Sequence, residues 1–141
     1  MKNLVYVLVY KITATVLGVC VPLMLFPVSW LSALGVPEQE SYMFIRALGV
    51  AYLALCVGYA FGLAEALQGR RMLSVIWMGI VSNAGACLVF TIYGLQGDWN
   101  DWPYLSQLYV WSIAATAGLI TLGLVLTGLK APAHEISYAR S

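Results

Sequence analysis

A chain of 141 residues that is 62% hydrophobic and 9% charged, with a mean hydropathy of +0.85, is not a water-soluble globule, which carries about a quarter charged residues. So few charges would leave exposed apolar patches far beyond the few hundred Å² that soluble monomers tolerate, so the solvent is lipid. Seven Lys and Arg against six Asp and Glu leave a net charge of +1, which offers no basic cluster to a nucleic-acid backbone.

Residues 4–26, 44–63, 72–95 and 105–129 form four apolar runs. A helix rising about 1.5 Å per residue needs roughly 20 residues to cross a hydrocarbon core about 30 Å thick, so each run is expected to span. A membrane barrel would instead alternate apolar and polar residues in segments of about ten, whereas these runs are apolar on every face. The predicted fold is therefore all-α. Residues 1–130 make a four-helix transmembrane bundle, and 131–141 a polar cytoplasmic tail.

In chain order, Lys2 ahead of the first run has the look of a secretory signal. That run, however, exceeds an h-region of roughly 7 to 15 residues and lacks a small-x-small cleavage site, so a retained helix is expected. Pro27 follows it, and Val28, Leu31 and Leu34 then recur at helical spacing until Gly35 and Pro37. This pattern predicts a short interfacial helix after the first span, anchored by Trp30. Glu38 and Glu40 precede the second span, where negative charge suits the positive end of the helix dipole. Residues 96–104 hold Gly97-Asp98 and Asn100-Asp101, with Pro103 placed for a first helical turn. So short a loop makes the third and fourth spans antiparallel neighbours. No internal repeat relates the first pair of spans to the second, so inverted-repeat transport finds no support.

Lys2, Lys11, Arg70, Arg71, Lys130 and Arg140 fall on one side of this topology, against Arg46 alone on the other. The positive-inside rule then puts both termini in the cytoplasm. Trp30, Tyr42, Tyr93, Trp99, Trp102 and Tyr104 mark the outer boundary.

Chemistry-bearing residues are few. His134 is the one histidine, which excludes bis-histidine haem ligation within the chain and a three-histidine metal site. Cys20, Cys56 and Cys87 sit one per helix without C-x-x-C spacing, as small buried residues do. No cofactor, no metal and no catalytic constellation is expected. Lys11 lies roughly 10 Å beyond the start of the first run, which leaves two readings. Either its stem snorkels to the headgroups, or it pairs with Glu65, the one acidic residue at a similar level, and locks the first two spans together. Asn83 is near the centre of the third span and is expected to hydrogen-bond within the bundle. Gly58-x-x-x-Gly62, Ala114-x-x-x-Gly118 and the Gly79, Ser82, Ala86 set have the spacing that lets helix backbones approach in lipid. Arg46, at the outer mouth of the second span, reads either as a bridge to Glu38, Glu40, Asp98 and Asp101 or as a hook for an anionic headgroup. Asp98, Trp99, Asp101 and Trp102 read as belt tryptophans beside polar turn residues, because nothing else in that loop completes an oxygen shell for a cation.

The run Arg46-Ala47-Leu48-Gly49-Val50-Ala51-Tyr52-Leu53-Ala54-Leu55-Cys56-Val57-Gly58, preceded by Pro27, Trp30, Leu34-Gly35 and Pro37, resembles the small four-helix DoxX-like membrane proteins. In these an Arg followed by a Gly opens the second helix after a proline-bounded outer segment. The resemblance implies a multi-pass protein of the bacterial inner membrane, with some relatives serving as accessory subunits of quinone-linked oxidoreductases. Arg46 is the polar residue it carries over; the aspartate-tryptophan loop and Lys11 depart from the pattern.

The expected function is a non-catalytic accessory or structural subunit that packs against other membrane subunits or a second copy. The alternative is a lipid- or quinone-binding protein with its site at the outer leaflet among Arg46, Tyr42, Trp30 and Trp99. A third reading is a small proton-coupled exporter with Glu65 as its membrane carboxylate.

Overall fold

A computed structural model of the chain describes residues 2–36 and 41–129. Glu38, Glu40, Lys130, His134, Arg140 and the expected tail at 131–141 lie outside the described residues. The fold is all-α, with four helices long and apolar enough to cross a membrane. These are α1 (Lys2–Leu25), α3 (Met43–Leu67), α4 (Leu73–Gln96) and α5 (Tyr104–Leu129). The short helix α2 (Val28–Ala33) follows α1, where the sequence predicts it. Only 22 to 28% of the most apolar window of each long helix is buried in the bundle. The remaining surface, from Tyr6 to Leu126, is dominated by exposed large hydrophobic side chains, which is stable against acyl chains and not against water.

The ends of these helices follow from single residues. Proline has no N–H and biases its predecessor toward extended backbone, and Phe26 before Pro27 turns to ψ 138° as α1 stops. Gly35 closes α2 at φ +84° and Gly97 closes α4 at φ +90°, left-handed values that cost a residue with a Cβ dearly. Each lets the next N–H fold back onto a carbonyl five residues earlier: Val36 to Leu31 at 3.0 Å and Asp98 to Tyr93 at 3.2 Å. Pro103 stands immediately before α5.

The long helices form a closed ring, α1 beside α3, α3 beside α4, α4 beside α5 and α5 beside α1. Helices α1 and α4 therefore face each other across the bundle axis. Along that axis lie three layers. Near the Arg70 end, Leu4, Leu8, Tyr59, Ala66, Val75, Ile76, Ile120 and Leu124 make the apolar core. The small residues act here: a Cβ on Gly62 would meet Val75 Cγ1 at 2.6 Å, and one on Gly79 would meet Leu124 Cδ1 at 2.6 Å. At the opposite end Trp99, 5% exposed, packs edge-on against Trp111 at 5.8 Å and near Trp102 and Phe90. Between the two lies a cavity.

Candidate functional site

The cavity, of about 170 Å³, is walled by all four long helices. Its one charged residue is Lys11, and the sequence of α1 explains why it points inward. Leu4, Leu8, Lys11 and Thr15 are spaced four, three and four residues apart, so they share one face, and all four are buried. The stem continues the stripe that anchors α1 in the core, which turns it away from the headgroups. Snorkelling is thereby ruled out for Lys11, which is 7% exposed.

The expected Lys11–Glu65 pair is also not formed. Lys11 Nζ donates to Asn83 Oδ1 at 2.7 Å, so the side chain crosses the diagonal from α1 to α4. Glu65 instead accepts from Arg70 Nε at 2.6 Å on the bundle surface. There the helix-ending turn, with Arg70 N–H on Glu65 O at 2.9 Å, folds the arginine back over the carboxylate. Such an exposed pair contributes little to stability.

Asn83 is held for its task. Its Nδ2 donates to Gly79 O at 2.6 Å, one turn back on α4, which leaves Oδ1 facing the ammonium. Ser82 Oγ also donates to Gly79 O, at 3.3 Å. Ser82 Oγ and the Tyr59 hydroxyl share a 2.9 Å hydrogen bond. The Tyr59 ring lies 5.4 Å from Lys11 Nζ, within cation–π range. Other polar groups on the wall are Tyr10, Thr15, Tyr52, Tyr109, Ser112 and Thr116; no carboxylate is among them.

Two prolines, Pro22 within α1 and Pro27 just after it, leave carbonyls of α1 without helical donors. Pro22 supplies no N–H to the carbonyl four residues earlier, Gly18 O, and the helix widens to i→i−5 bonding over Val16–Cys20. The Tyr109 hydroxyl of α5 donates to Gly18 O in its place. Likewise Pro27 leaves Leu23 O without its helical donor, and Arg46 Nη1 fills that role at 2.7 Å, with Nη2 on Phe26 O at 2.6 Å. The planar fork of arginine suits two neighbouring carbonyls.

The Arg46 guanidinium caps α1 rather than bridging to Asp98 or Asp101, both exposed, and an ion pair joins Glu65 and Arg70. Trp30 stacks edge-on against Phe26 at 5.2 Å and is 58% exposed. Tyr42 stands at the start of α3, while Trp99 is buried in the aromatic layer. None of Arg46, Tyr42, Trp30 and Trp99 lines the cavity. The cavity residues were missed because the sequence marks Lys11 and Asn83 as two separate demands for a partner, without a sign that each answers the other. All three cysteines are free thiols, and no cluster of metal-ligating side chains occurs among the described residues. The chain matches no family model, no curated protein and no solved structure.

Proposed function

We propose that this chain is a non-catalytic, multi-pass membrane protein that binds a small amphipathic molecule of the lipid or quinone class inside the bundle. The observation that carries the reading is the cavity of about 170 Å³ between four spanning helices with the Lys11 ammonium in its wall. Ionisable residues at this depth are rare because they are costly, and where they face a cavity they mark a binding or transfer site. The site moves from the Arg46 end to the middle of the bundle. Arg46, with both Nη atoms on main-chain carbonyls, is taken up in capping α1.

The other readings have less to stand on. Partner subunits were expected to meet the small-residue faces, but these serve contacts within the chain. A Cβ on Gly58 would meet Met78 Cε at 3.2 Å, one on Gly118 would meet Cys87 Sγ at 3.2 Å, and Ala114 is buried. An exporter needs an embedded carboxylate, and Glu65 is on the surface beside Arg70. The lysine and arginine distribution supports cytoplasmic termini, and the DoxX-like resemblance supports the bacterial inner membrane.

The test is native mass spectrometry of the full chain in nanodiscs loaded with membrane lipids and ubiquinone. A stoichiometric adduct is expected, and it should be lost when Thr116→Trp fills the cavity. An adduct that survives Thr116→Trp, or no adduct at all, refutes the proposal. Sidedness is checked separately by introducing cysteine at Gln68 or Asn100. An impermeant maleimide added to whole cells should label the second and spare the first.

A further inference from the structure

The charge balance of the cavity is incomplete. An ammonium carries three N–H donors. One of those on Lys11 reaches Asn83 Oδ1 at 2.7 Å, and its other attractions are the Tyr59 ring face, 5.4 Å to the centroid, and the thiols of Cys56 and Cys20. None of these is a carboxylate, and no Asp or Glu lines the cavity. A buried cation without a counter-charge is among the costliest arrangements a membrane interior can hold.

A second observation comes from the seam between α1 and α5. A groove of about 230 Å³ runs along it, lined by Tyr6, Val7, Tyr10, Leu119 and Ile120. Tyr10 and Ile120 line the cavity as well, so the two are neighbours that meet at these side chains. Tyr6 and Leu119 are 72% and 65% exposed on the outer surface of the bundle, which opens the groove toward lipid. A chamber holding one cation and several hydroxyl groups thus lies beside an apolar groove of acyl-chain character. The chamber is below the roughly 300 Å³ of a typical small-molecule pocket, so it takes a headgroup and the groove takes the rest.

We propose that the ligand is an anionic single-chain amphiphile, a long-chain carboxylate, whose headgroup pairs with Lys11 and whose tail leaves through the α1–α5 groove. This rests on the ligand-binding reading above and narrows it. A carboxylic acid crosses hydrocarbon as the neutral acid and pairs with the Lys11 ammonium once its own proton is released to solvent, so head and lysine together carry no net charge. A phosphate headgroup, charged throughout, has no such route to this depth.

The test uses the full chain in phosphatidylcholine nanodiscs, with empty nanodiscs as the partition blank. It compares saturable binding of radiolabelled dodecanoate, dodecanol and dodecyltrimethylammonium. Dodecanoate should bind roughly 10-fold or more tightly than the other two, and Lys11→Gln should remove that advantage. Leu119→Trp, on the lipid-facing rim and remote from the ammonium, should weaken dodecanoate several-fold more than hexanoate. Equal affinity for dodecanol and dodecanoate, with Lys11→Gln silent, overturns the anionic headgroup and leaves amphiphile binding intact. Tighter binding of the cationic probe overturns it too. Saturable binding by none of the three probes, nor by ubiquinone, refutes both proposals. If Lys11→Gln does not fold, the Leu119→Trp comparison decides, and equal effects on the two chain lengths overturn the groove.

Discussion

Two cations enter the apolar part of this bundle, and they are treated in opposite ways. Arg46 meets two main-chain carbonyls at the end of α1, at 2.7 and 2.6 Å, one of which Pro27 has deprived of its donor. Lys11 meets one neutral amide and an open cavity. The comparison separates a charge that completes the protein from one that awaits something else. Arginine repairs a helix, whereas lysine presents a donor.

The comparison breaks most visibly if the repair is removed. Arg46→Leu strands two carbonyls and is expected to destabilise the bundle by roughly 3 kcal/mol, given about 1.5 to 3 for a hydrogen bond to a charged group. Equilibrium unfolding in mixed micelles measures this. Arg46→Lys should recover less than half, because an ammonium cannot fork across two acceptors. Next in size is Asn83→Leu, which leaves Lys11 without its amide and should cost about 2 kcal/mol. Adding Lys11→Met should restore much of the loss, and a double variant no more stable than Asn83→Leu alone refutes the coupling. Tyr109→Phe uncovers Gly18 O and should cost about 1 kcal/mol, read in the same unfolding assay. Smallest is Glu65→Gln, expected to leave the unfolding midpoint unchanged because its partner Arg70 is exposed. A large shift there would return Glu65 to the interior role first expected of it.

Much of the architecture is legible in the sequence because lipid imposes length. The runs 4–26, 72–95 and 105–129 differ by at most two residues at either end from Lys2–Leu25, Leu73–Gln96 and Tyr104–Leu129, since Pro27, Gly97 and Pro103 act locally. The second run falls short of α3 by four residues at its far end. Glu65 there interrupts the hydropathy but not the helix, whose last turn can leave the hydrocarbon. The cavity is less legible for a geometric reason. Hydropathy gives depth along a span, but helices apolar on every face carry no strong signal of azimuth. Lys11 and Asn83 were each placed at the right depth, yet their partnership runs across the ring, between helices that are not sequence neighbours. Glu65 looked like the natural partner only because adjacent spans are the default pairing. The widened turn at Val16–Cys20 has no composition signature beyond the Pro22 that follows it.

Pro22 within α1 and Pro27 just after it also set an order of events during biosynthesis. When the first span leaves the translocon, Gly18 and Leu23 hold carbonyls that their own helix does not serve. Arg46 becomes available with the second span, but the phenol of Tyr109 arrives only with the last. The earliest segment to be synthesised is thus completed by the latest, because the Gly18 carbonyl meets its donor only once Tyr109 has been added.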